Sequence, residues 1–118
     1  MSTTITGGLH GLDTKDNSKL YKAPKKYKYT VSASGGGKLR FKVKYYTGDE
    51  YSPNPGDGLK GKWRTLIKRE KIDSGASLSG SFDLPQSLGG QSTTELKLIF
   101  SRGFATKGVD YNFSMEAA

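Results

Sequence analysis

A chain of 118 residues can bury one sandwich or barrel core but not two independent ones, so residues 1–118 read as a single domain. It contains no cysteine, which excludes disulfides, thiolate metal sites and thiol catalysis, and no apolar run approaches the length of a bilayer span. The formal charge of +8 is unevenly placed: eight basic and no acidic residues lie between Lys22 and Lys44, and six basic residues stand against Glu70 alone between Lys60 and Lys71.

From Ile72 onward the balance reverses, with Asp73, Asp83, Glu95, Asp110 and Glu116 set against Lys97, Arg102 and Lys107. Such asymmetry predicts a polarised surface that attracts an anionic partner. Along the chain, residues 1–18 are polar and Gly/Thr-rich and read as a flexible amino-terminal segment, with short strands around Thr3–Thr6 and Lys19–Tyr21. The first residues have no apolar core of the kind a signal peptide needs, which favours a cytoplasmic or virion-associated protein.

The clearest strand signals come next. Tyr27, Tyr29, Val31 and Ala33 form one inward set, and Leu39, Phe41, Val43 and Tyr45 another, each alternating with polar or charged residues. Gly35-Gly36-Gly37 lies between them and reads as a hairpin turn. A three-residue loop keeps both apolar sets on one face, which puts Arg40 opposite Ser32, Lys42 opposite Thr30, Lys44 opposite Lys28 and Tyr46 opposite Lys26.

Between Lys62 and Ile72 the alternation changes phase, which predicts a bulge near Leu66-Ile67. Trp63 in this stretch reads as a core residue in preference to a stacking surface, since a lone Trp supplies much of the buried area in a thin sandwich, and the stacking alternative keeps it among the candidate binding residues. Leu78, Gly80, Phe82 and Leu84 form a further inward set, then Leu96, Leu98 and Phe100 with Ile99 facing out, then Val109, Tyr111, Phe113 and Met115, with a hairpin expected from Gly103 to Gly108. No window carries helical periodicity. The pattern predicts an all-β, antiparallel β-sandwich of immunoglobulin-like or jelly-roll type, with about seven to eight short strands.

Little points to catalysis. The one histidine, His10, has no Ser or Asp at a spacing that would make a catalytic set. The glycine triplet is followed by a strand, whereas a phosphate loop precedes a helix. Asp13, Asp16 and Asn17, and Asp49, Glu50 and Asp57, are short of a calcium ligand set and read as turn formers, so no metal and no cofactor is expected.

The sequence therefore predicts a non-enzymatic binding module. Its binding residues are Lys26, Lys28, Arg40, Lys42, Lys44, Tyr46, Trp63 and Arg64, and its partner is an anionic polymer such as nucleic acid or an acidic protein surface. The alternative is a structural subunit of a particle or filament, a homo-oligomer in which the basic face meets Asp110, Asn112, Ser114 and Glu116 of a neighbour. A carbohydrate-binding module explains the charge less well.

Overall fold

The computed structural model describes residues 2–10, 15–51, 59–87, 92–103 and 107–118, with backbone alone at 49–51 and 59–61. These residues form eight strands: β1 (Ser2–Leu9), β2 (Lys15–Lys22), β3 (Lys26–Ser34), β4 (Lys38–Tyr51), β5 (Leu59–Asp73), β6 (Ser77–Asp83), β7 (Thr94–Arg102) and β8 (Val109–Ala117). They make two four-stranded antiparallel sheets, ordered β1-β8-β3-β6 and β2-β7-β4-β5. The expected sandwich is present. Its strand order, with the first and last strands adjacent in one sheet, is that of the eight-stranded jelly roll rather than the four-plus-three immunoglobulin arrangement.

Period-two alternation explains why these segments are strands, because it lets each sheet bury one face. The inward residues are those the sequence predicts: Tyr27, Tyr29, Val31, Ala33, Leu39, Phe41, Val43, Leu96, Leu98, Phe100, Val109, Tyr111, Phe113 and Met115 are all buried. Aromatic rings join the sheets. Phe41 lies 5.5 Å from Phe100 and 5.4 Å from Phe113 between ring centroids, and Phe100 stacks on Tyr111 at 4.1 Å.

Both expected hairpins are overturned. Gly35-Gly36-Gly37 carries the chain from β3 in one sheet to β4 in the other, and Gly103 to Gly108 likewise joins β7 to β8 across the sandwich. β3 pairs with β6 and β8, β4 with β5 and β7, so the predicted register of Arg40 with Ser32 and Lys44 with Lys28 does not exist. The physical reason lies where the two crossings meet. The Gly37 amide donates to the Gly108 carbonyl at 3.1 Å, and a Cβ at Gly37 would collide with the Lys107 carbonyl. Glycine serves close backbone approach there, while Gly35 and Gly36 supply positive φ.

The bulge in β5 is as expected: its register against β4 shifts between Phe41 and Val43 and again between Val43 and Lys44. At the amino-terminal end, β1 pairs over its whole length with β8, and β2 with β7. Asp13 and Asp57 lie outside the described residues, as do the side chains of Asp49, Glu50 and Tyr51. No described helix is long and apolar enough to cross a membrane.

Burial also sets the alkaline limit of stability. The Tyr27 phenol is pushed up by burial, Tyr29 by burial and then Glu70, and Tyr111 by burial and then by its hydrogen bond to, and the charge of, Asp16. Tyr111 Oη donates to Asp16 Oδ2 at 2.7 Å. A raised phenol favours the neutral form in the folded state, so this stability is intact below the ordinary value of 10.0 and is lost as pH climbs above it. Denaturant midpoints should therefore hold level up to about pH 9.5 and fall beyond pH 10. A midpoint that stayed level through pH 11 would contradict this.

Candidate functional site: a basic face on one sheet

With β3 and β4 in opposite sheets, the predicted basic face divides. Lys26 and Lys28 lie on the outer face of β1-β8-β3-β6, where acids meet them: Lys26 pairs in register with Asp83, and Lys28 with Glu116. Lys28 Nζ is 3.3 Å from Glu116 Oε1. These lysines sit in a neutralised setting and separate from the remainder of the predicted site.

Arg40, Lys42 and Lys44 come to the outer face of β2-β7-β4-β5, joined by cations that the sequence reading did not nominate. Successive rows run Lys15–Ser101–Arg40–Lys71, then Asn17–Ile99–Lys42, then Lys19–Lys97–Lys44–Thr65. Two residues along a strand separate the rows, about 6.7 Å, and neighbouring strands lie about 4.8 Å apart. Lys15, Arg40, Lys42, Lys44 and Arg69 surround a shallow depression of about 530 Å³, with Phe41, Ile99 and Ser101 completing its lining. Among the described residues, the carboxylates on this face stand at its ends, Asp73 opposite Lys38 and Glu95 opposite Tyr21.

The crowding is felt by one member. Lys44 holds the Lys42 ammonium below its ordinary pKa, and partial desolvation, a hydrogen bond to Lys44, and the charges of Arg69 and Lys15 push the same way. Like charges gathered without a counter-charge are mutually destabilising, and an arriving anion relieves them.

Trp63 corrects the sequence reading. It lies on this outer face rather than in the core, in register with Tyr46, whose ring meets it edge-on at 5.3 Å. Lys97 Nζ sits 4.2 Å from its ring centroid and Lys19 Nζ 5.9 Å. The register shift between Val43 and Lys44 accounts for the placement: Ile67 faces in opposite Val43, and one extra residue then sets Thr65 opposite outward Lys44 and Trp63 opposite Tyr46. Arg64 pairs with half-buried Tyr45, on the other side of β5 from Trp63, and so does not join the basic face.

Lys15, Lys19 and Lys97 were missed because β2 and β7 are distant in sequence from β4, and Arg69 because a register shift between Glu70 and Ile67 sets which side of β5 it takes. The available signal was Ile99, an outward apolar residue on a buried central strand whose neighbours Lys97 and Ser101 share its face. His10 stands at the end of β1 with Nε2 2.7 Å from Asp110 Oδ1, both side chains about half exposed. Among the described residues, no group of three or more His, Cys, Asp or Glu is placed to hold a metal ion.

No protein-family model matches the chain, and no curated protein sequence does. Among solved structures, the chain is similar to the mitogen derived from Yersinia pseudotuberculosis, with a TM-score of 0.50 and 12% identity over 100% of this chain and 86% of that one. A weaker likeness is to the structure of infectious bursal disease virus Gx strain, with a TM-score of 0.42 and 10% identity over 98% of this chain and 32% of that one. At such identities the likeness is one of fold: the chain is an all-β sandwich of two packed antiparallel sheets.

Proposed function

We propose that the chain is a non-enzymatic binding module that holds a single-stranded nucleic acid on the outer face of β2-β7-β4-β5. The observation that carries this reading is the convergence of Lys15, Arg40, Lys42, Lys44 and Arg69 on one depression with no carboxylate in its lining. Backbone phosphates answer such a field, and binding releases their counterions. Trp63 and Tyr46 adjoin the cationic rows and supply the aromatic surface on which a base stacks, worth about 1–3 kcal/mol per base.

The depression's titratable side chains are all cations, so it offers no group suited to take a proton at neutral pH, which supports binding over catalysis. A subunit contact between this face and the β8 acids of a neighbour is less well supported, because Lys28 and His10 already engage Glu116 and Asp110. Fluorescence anisotropy with a labelled single-stranded oligonucleotide tests the reading. Binding should be present at low salt and weaken linearly on a log–log plot as salt rises. No binding at low salt, or binding indifferent to salt, would refute it.

A further inference from the structure

We propose that two copies of the chain join edge to edge through β1, forming a closed two-fold dimer with a continuous eight-stranded sheet. The inference rests on how differently the two sheets protect their edges, and does not depend on what the basic face binds. β5, an edge of the basic sheet, pairs with β4 through three register shifts and carries Lys62, Arg64, Lys68, Arg69 and Lys71. β2, the other edge of that sheet, carries Lys15, Asp16, Lys19 and Lys22. Charges and bulges of this kind are how sheets discourage further pairing.

β1 has none of them. Its sequence, Ser-Thr-Thr-Ile-Thr-Gly-Gly-Leu, holds no charge and no proline, in a chain with a net charge of +8. Its register with β8 runs unbroken from Ser2 opposite Glu116 to Leu9 opposite Val109. Alternate backbone amides and carbonyls of an edge strand point away from its one partner, so β1 presents a regular ladder of free pairing groups.

A second copy suits this edge because β1 is complementary to itself. Antiparallel pairing centred on Ile5 sets Ile5 against Ile5, Thr4 against Thr6 twice, and Thr3 against Gly7 twice, and keeps inward residues with inward ones. Ile5 is half-buried at the margin of the core, and its twin would cover the side that remains open. The symmetry axis of such a pairing stands perpendicular to the sheet, so the two basic faces point the same way and double the cationic surface. β6, the other edge of the sheet, is shorter and leads directly out of the Ser74–Gly75 turn from β5.

Sedimentation equilibrium of the full chain tests the proposal. The wild type should dimerise, and Thr4→Lys with Thr6→Lys should raise the dissociation constant about tenfold or more by setting lysine against lysine twice. Thr4→Glu with Thr6→Lys places opposite charges at the same contacts and should return it to within about threefold of wild type. Both threonines are exposed, and circular dichroism confirms that each variant keeps its fold. A wild type that stays monomeric at about 0.1 mM overturns the proposal. So does a dimer indifferent to Thr4→Lys with Thr6→Lys, a charge-swapped variant no tighter than the double lysine, or a mass that grows past two copies, which would mark head-to-tail joining of β1 to β6.

Discussion

Replacing Arg40, Lys42 and Lys44 together by glutamine is expected to weaken oligonucleotide binding on the order of a hundredfold near 0.1 M salt. Each phosphate contact on a single strand contributes about 0.7 to the slope of log affinity against log salt, so three lost contacts flatten that slope by about 2. The three side chains share one depression, and Arg69 and Lys15 remain beside it to hold a residual affinity. Lys26→Gln with Lys28→Gln is the control of equal sign, and should leave affinity within about twofold because those lysines already face Asp83 and Glu116. Because Lys44 depresses Lys42, binding should also begin to weaken on the alkaline side before the other lysines lose their charge. Equal losses from the two sets of variants would move the binding surface off this sheet.

Phe113→Ala is expected to cost about 3–5 kcal/mol of folding stability, a large share of the 5–15 kcal/mol that holds a typical domain. Phe113 is fully buried in the middle of the β1-β8-β3-β6 sheet, with its ring centroid 5.4 Å from Phe41, 6.1 Å from Phe100 and 6.3 Å from Tyr29. Truncating it opens a void that rings from both sheets line, and interlocked aromatics cannot collapse far into it. Urea unfolding followed by circular dichroism should show the midpoint fall with little change in slope. Ile99→Ala, an apolar truncation on the outer face, should stay within about 1 kcal/mol. If the two changes cost the same, the aromatic cluster is not what holds the sheets together.

What was legible in the sequence was whatever alternation decides within one strand. Tyr27 to Ala33 and Leu39 to Val43 face inward as expected, because the side a residue takes follows from its parity with its neighbours. Which strand lies beside which is set by residues far away, and there the reading failed. Ser34 and Lys38 have the same parity whether the glycines between them make a hairpin or a crossing, so the local pattern allows both. The pairing acids were the discriminating clue: Asp83 and Glu116 stand at the register positions that face Lys26 and Lys28, which leaves no place for β4 beside β3. Trp63 was misplaced for a related reason. A phase change was visible around Leu66, but only the observed shifts against β4 fix which half of β5 turns its Trp outward.

The crossings between sheets also govern how the molecule reaches its native state. β1 must find β8, with Ser2 beside Glu116, and β2 must find β7, so most of the ladder joins parts of the chain that begin far apart. β4 and β5 are the one pair that is adjacent both in sequence and in a sheet, which makes them the natural place for structure to start. Closing long loops consumes chain entropy before any pairing energy returns, so refolding of such a topology takes milliseconds to seconds rather than microseconds. Until β1 and β3 reach it, β8 exposes its Val-Asp-Tyr-Asn-Phe-Ser-Met alternation, a segment open to mispairing with another chain.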